Sequence, residues 1–294
     1  MRVNPDPYPD LLAAVAQTQQ QINTDEEEIA SGQSVNSPSD NPAAAAVLVQ
    51  NADQTSQADQ FQRSIGSIQG EMQNADSAIS SVISALQQAI SLGTEGANGT
   101  ENAADRSAIA TQVEGIQSQL LSLANLTYQG NYVFAGTLTQ APPYVLDAST
   151  SSVTYQGNSG VNQVTIGSNL SVQTNLPGST LFSSSGTDMF QSIQDLITSL
   201  QSGTGISAAV VEVSNSSASI DAQSSFYGSA LDQLTSQNTY LSTETTQLAQ
   251  QQNTEGGADL PAAISNLTTE QTSLQATLES MGQTSTTNLF QYLK

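Results

Sequence analysis

The stretch from Leu260 to Leu293 limits the fold more than any other. Its apolar residues fall at Leu260, Ile264, Leu267, Leu274, Leu278 and Met281, in steps of four and three, with Gln271 in the missing slot. This is a heptad seam, the spacing by which a helix buries a narrow stripe against another helix. Such a helix is marginal by itself in water, because nucleation is costly and most helical stability comes from packing. It needs a partner stripe. Beyond Met281 the pattern relaxes through Ser285 and closes on Leu289, Phe290, Tyr292 and Leu293, an apolar cluster placed to meet a partner.

The opposite end of the chain offers the second stripe. Leu11, Val15, Thr18, Ile22, Asp25 and Ile29 repeat the four–three step. Two slots are polar, so this seam is the weaker one. Gly32 follows where a left-handed cap residue belongs. The run Asp25–Glu28 reads as a solvated acidic face rather than a metal site.

Asn41 then Pro42 is a helix start: an Asn cap, then Pro where a missing N–H costs nothing. The following seam is long and unbroken: Ala58, Phe61, Ile65, Ile68, Met72, Ala75, Ile79, Val82, Leu86 and Ala89. Ile83 and Ile90 add a second flank. Gly93 to Thr100 reads as a turn. Asn102, with Asp105 three residues on, opens a third helix whose seam is Ile109, Val113, Ile116, Leu120 and Leu123.

At Gly130 the period changes. Tyr132, Phe134, Tyr144–Leu146, Val153–Tyr155, Val164–Ile166 and Leu170–Val172 read as short strands, with a hairpin turn at Gly157–Gly160. They predict a small, partly exposed sheet leaning on helix, with the Tyr132/Phe134 pair in its core. Helix resumes at Met189 and breaks at Gly203-Thr204-Gly205. It then runs from Ile206 through Val213, Ile220, Tyr227, Leu234, Leu241 and Leu248. Gly256-Gly257 interrupts it, and Pro261 opens the last helix.

The predicted fold is therefore mostly α: a long antiparallel helical rod or coiled coil, its two termini paired at one end and a small β insert at the other. Five segments follow: 1–41 and 258–294 as terminal helices, 42–129 and 187–257 as rod halves, and 130–186 as the β insert.

Composition narrows the function. The chain has four basic and 26 acidic residues, a net charge of −22. Neutralising nucleic-acid phosphates or an anionic membrane surface is excluded on that balance. With no Cys and no His, thiol nucleophiles, imidazole triads and the usual zinc sites are excluded too. Leu11–Ala16 is too short for a signal-peptide core, and no apolar run reaches the ~18 residues of a membrane span. No enzyme activity, catalytic residue, metal or cofactor is expected. Charged residues are only 10% of the chain. That reads either as a Ser/Thr/Gln-rich surface or as adaptation to acid, where only four positive charges would remain to repel one another.

Several ordered stretches carry a family likeness. Ala30-Ser31-Gly32 with Val35-Asn36-Ser37-Pro38-Ser39-Asp40-Asn41-Pro42-Ala43-Ala44 is one. Ala97–Thr100 with Asp105-Arg106 is another. Leu123-Ala124-Asn125 with Gly130-Asn131-Tyr132-Val133-Phe134-Ala135-Gly136 follows, then Val153–Gly157 through Asn175–Gly178, and last Asn288-Leu289-Phe290-Gln291-Tyr292-Leu293. In this order they resemble the bacterial flagellar hook–filament junction proteins, hook-associated protein three of the FlgL type, within the flagellin superfamily. Gln33 stands where that family usually has a basic residue, and Asn41 where it has a second Asp.

The resemblance implies a flagellin-like structural protein of the flagellar axis, exported through the flagellar type III channel without a cleaved signal. It implies a homo-oligomeric ring between a FlgK-type hook-associated protein and flagellin. It also implies a FlgN-type cytoplasmic chaperone on the C-terminal region before export, and an extracellular place afterwards. The assembly residues would be Leu11, Val15, Ile22, Ile29, Leu260, Ile264, Leu267, Leu274, Leu278, Met281, Leu289, Phe290, Tyr292 and Leu293.

Flagellin itself is the nearest alternative; it usually carries DDAAG where this chain has Asp40–Ala44, and lacks the Gly130–Gly136 motif. A coiled-coil adhesin with the β insert as its head is more remote. A carboxylate glycosidase is disfavoured, because the acids are scattered along helix faces. Asn125-Leu126-Thr127 and Asn266-Leu267-Thr268 match glycosylation acceptors, but such triplets arise by chance in a Ser/Thr-rich chain.

Overall fold

The computed structural model describes residues 8–147, 151–183 and 186–291. Long helices dominate: α1 (Tyr8–Ser31), α2 (Pro42–Gly96), α3 (Ala103–Ala124), α5 (Met189–Ser202), α6 (Ile206–Gly256) and α7 (Leu260–Gln291), with a single turn, α4 (Gly178–Leu181). Two compact units are present. One comprises 1–57 and 243–294; the other is 58–242. The divisions fall inside α2 and α6, not at the Gly and Pro signals that end helices.

The helix boundaries follow from local chemistry. Gly32 adopts φ +70° and ends α1. The Asn41 side chain accepts from the Ala44 N–H at 3.1 Å, with Pro42 at the first helical position. At α3 the Asn102 side chain accepts from Ala104 and Asp105, while the Asp105 carboxylate takes the Asn102 N–H, a complete capping box. The turn expected from Gly93 begins later, since α2 continues through Gly96. The cause is packing: a Cβ on Gly93 would lie 2.6 Å from Val210, and one on Gly96 would lie 2.3 Å from Leu200. These glycines let neighbouring helices approach rather than bend the chain.

In the 58–242 unit, the α2 seam is buried at Ala58, Ile65, Ile68, Met72, Ala75, Ile79, Val82, Leu86 and Ala89, with Phe61 half-buried. Val213, Ile220, Tyr227, Leu234 and Leu241 of α6 join the same core, and α3 packs on α5.

The β region differs from a single sheet. It is three separate antiparallel pairs: β1 (Thr127–Tyr128) with β2 (Asn131–Tyr132), β3 (Tyr144–Asp147) with β4 (Ser152–Tyr155), and β5 (Gln163–Gly167) with β6 (Leu170–Gln173). Gly157–Gly160 is consequently no hairpin turn; it links β4 to β5, which are not paired. Pairs this short are unstable alone. Side chains hold them instead. Asn125 donates to the Tyr144 carbonyl at 2.8 Å and accepts its N–H at 2.9 Å. Buried Asn175 donates to the carbonyls of Gly136 and Gly160 and accepts the Asn162 N–H at 2.6 Å. Phe134, Tyr144, Phe182 and Phe190 stack at centroid spacings of 5.0–5.8 Å. Phe134 lies outside any strand yet is buried in this cluster, where its neighbour Tyr132 is only half-buried.

Candidate functional site: the paired terminal helices

In the other unit, α1 packs against α7. Their near ends are fastened by backbone. Gln33 and Gly257 form an antiparallel bridge, with Ser34 N–H donating to the Gly256 carbonyl at 2.8 Å and Ala258 N–H to the Gly32 carbonyl at 3.0 Å. The two helices therefore run antiparallel.

The α1 row faces inward as spaced. Ile22 and Asp25 are buried, and Leu11, Val15, Thr18 and Ile29 are half-buried. The acidic run thus divides. Glu26 and Glu27 are in solvent, but Asp25 is 7% exposed and is no part of a solvated face.

On α7 the apolar stripe is wide enough for two overlapping rows, and α1 takes the other one. Ala263 is buried, and Leu267, Glu270, Leu274, Thr277 and Met281 are half-buried at the same four–three step. Leu267, Leu274 and Met281 belong to both rows. Leu260, Ile264 and Leu278 are left 41%, 52% and 51% exposed. Ala263, 4% exposed, begins the covered row. Leu289 and Phe290 lie in α7, while Tyr292 and Leu293 fall outside the described residues. Sequence reasoning gave no role to Ala263, Glu270 or Thr277. The signal was the four–three step that they also keep.

The link from α1 to α2 is a compact turn around Asp40. Its carboxylate accepts the Ser37 N–H at 2.7 Å, the Asn36 N–H at 3.1 Å and the Ser37 hydroxyl at 2.8 Å. The Ser37 hydroxyl, then its N–H, hold the Asp40 carboxyl below the usual Asp range. Beside this turn lies an open cavity of about 510 Å³ lined by Val35, Pro38, Leu48, Val49, Asn253 and Gly256 among others. Leu48 packs onto Gly256, where a Cβ would lie 2.9 Å from its methyl.

No group of three or more His, Cys, Asp or Glu that could hold a metal occurs among the described residues. No helix among them is long and apolar enough to cross a membrane. The Asn125 amide is committed to Tyr144 at both its atoms, so that acceptor triplet is structural.

The bacterial flagellin N-terminal helical region matches residues 8–139. Flagellar hook-associated protein 3 of Salmonella typhimurium is 34% identical over 119 residues, 40% of this chain and 38% of that relative's length. Among solved structures, one described as a flagellar hook-associated protein from Vibrio parahaemolyticus superimposes with a TM-score of 0.68 at 20% identity, covering 74% of this chain and 99% of the other. The flagellar junction protein FlgL of Legionella pneumophila superimposes with a TM-score of 0.55 at 14% identity, over 60% and 95%. The chain thus carries the bacterial flagellin N-terminal helical region and has the fold of the FlgL-type flagellar hook-associated proteins.

Proposed function

We propose that this protein is a structural component of the bacterial flagellar axis, joining the hook, through a FlgK-type hook-associated protein, to the flagellin filament. The observation that carries the reading is the exposed row Leu260, Ile264 and Leu278, on a helix whose other row is already covered by α1. Apolar surface left in water forgoes ~25 cal/mol per Å², and an assembling neighbour recovers it. Segments 1–41 and 258–294 serve as the assembly ends, 42–129 and 187–257 as the rod halves and 130–186 as a bracing insert. Copies form a ring. Before export a FlgN-type chaperone covers the C-terminal helix in the cytoplasm; after export the protein is extracellular, at the hook–filament junction. Its role is mechanical and involves no reaction.

The flagellin alternative has less support, because the relatives matched are hook-associated proteins. The test is complementation of a strain lacking the protein. The wild-type chain should restore attached filaments. A variant with Leu260→Asp, Ile264→Asp and Leu278→Asp should leave hooks intact and shed flagellin into the medium, as should truncation from Leu260. Attached filaments from both variants would defeat the proposal. A strain lacking this chain that still builds other flagellins into attached filaments would favour flagellin.

A further inference from the structure

The α1–α7 seam contains something that helix pairing does not require. Asp25 fills a core slot, nine-tenths buried, and its Oδ2 has no hydrogen-bond partner. The group within hydrogen-bonding reach is the carboxyl of Glu270 on α7. Glu270 Oε2 is also buried and unpartnered. Two carboxyls within hydrogen-bonding reach, one of them nine-tenths buried, cannot both be ionised cheaply. An apolar pair there would serve the seam better.

On α1, Glu28 is half-buried one turn from Asp25, Glu26 and Glu27 are exposed, and Asp10 stands near the start. α7 brings Glu279 as well as Glu270, Asp259 precedes it, and the connecting turn adds Asp40. The described residues of this unit carry twelve acidic side chains and no Lys or Arg. Arg2 and Lys294 lie outside the described residues.

We propose that Asp25 and Glu270 form a proton-sharing clasp that makes closure of the α1–α7 pair depend on pH. One proton, taken from solvent, bridges the two groups as O–H···O. Its loss leaves two negative charges in one slot and loosens the pair. The local electrostatics agree. Burial first, then the Asp25 charge, hold Glu270 above the usual Glu range; burial, then Asp25 and Asp40, do the same to Glu28. A carboxyl with a raised folded-state value contributes stability that is complete below its unfolded value and is lost as pH rises through the folded one. The clasp is tight in acid and slack in neutral solution. The inference rests on the helix pair and not on the flagellar role.

The test is hydrogen exchange on the full-length chain at pH 5 and pH 8, corrected for intrinsic rates, at constant ionic strength. Segments 20–30 and 263–281 should be more than twofold better protected at pH 5 than at pH 8, since the pair holds its proton more fully in acid. Segments 109–120 and 190–200 should change less than twofold. In Glu270→Gln the terminal segments should keep high protection at both pH values. Asp25→Asn provides the same reading if the first variant loses protection in 109–120, the sign of misfolding. Equal protection of the wild-type segments at both pH values overturns the clasp. So does a pH dependence that survives in Glu270→Gln, or one that Glu26→Gln with Glu27→Gln abolishes equally, since net charge would then be the cause.

Discussion

The Tyr227 hydroxyl on α6 accepts the backbone N–H of Leu176 at 3.3 Å, with the tyrosine itself 1% exposed. A helix side chain thereby satisfies an amide in the segment that follows β6, and burial holds the phenol well above its ordinary pKa. Tyr227→Phe removes the acceptor and leaves that N–H without a partner. A buried unsatisfied group costs ~1–3 kcal/mol. The unfolding free energy should fall by that amount, seen as a lower denaturant midpoint with no change in m-value.

Gly178 sits where a Cβ would come within 2.8 Å of the Tyr144 ring and 3.1 Å of the Phe134 carbonyl. Its N–H also donates to that carbonyl at 2.8 Å. Gly178→Ala should force the aromatic cluster apart, at ~1–3 kcal/mol for overpacking. Near-ultraviolet circular dichroism should weaken and thermal unfolding should shift down.

Ile22 is the most buried large apolar residue of α1, at 4% exposure. Ile22→Ala should cost ~2–5 kcal/mol locally. The loss should appear as faster hydrogen exchange in α1 and α7, with α3 and α5 unaffected.

Asp40 should respond to acid in the sense opposite to Glu270. Its carboxyl is held low by Ser37 and Asn36, so the order it gives the turn is complete above the usual Asp range and lost as pH falls through its folded value. The amide shift of Ser37, followed by nuclear magnetic resonance from pH 6 to pH 2, should show one titration below pH 3.8. Asp40→Asn should abolish it.

Much of the fold was legible because it rests on local rules. The α2 seam from Ala58 to Ala89, the Asn102–Asp105 box, the Asn41-Pro42 start and the Gly32 stop all follow from spacing and capping. What was not legible depends on choices between near-equal options. On α7, Leu260 and Ala263 each begin a row of the same step, and hydrophobicity favours the row that α1 leaves open. Asp25 lies both in a four–three row and in an acidic run, and only the partner helix decides which description holds. The strand pairs are two to five residues long, too short for pattern to fix pairing. The buried amides of Asn125 and Asn175 look like any loop asparagine until the carbonyls that they meet are known.

The bridge between Gln33 and Gly257 joins positions more than two hundred residues apart. Closing a flexible loop of that length costs about 5 kcal/mol in chain entropy before any constant is added, more than two backbone hydrogen bonds return. The contact must therefore come late, after the stretch between has lost most of its freedom. Until then the two extremities stay separate.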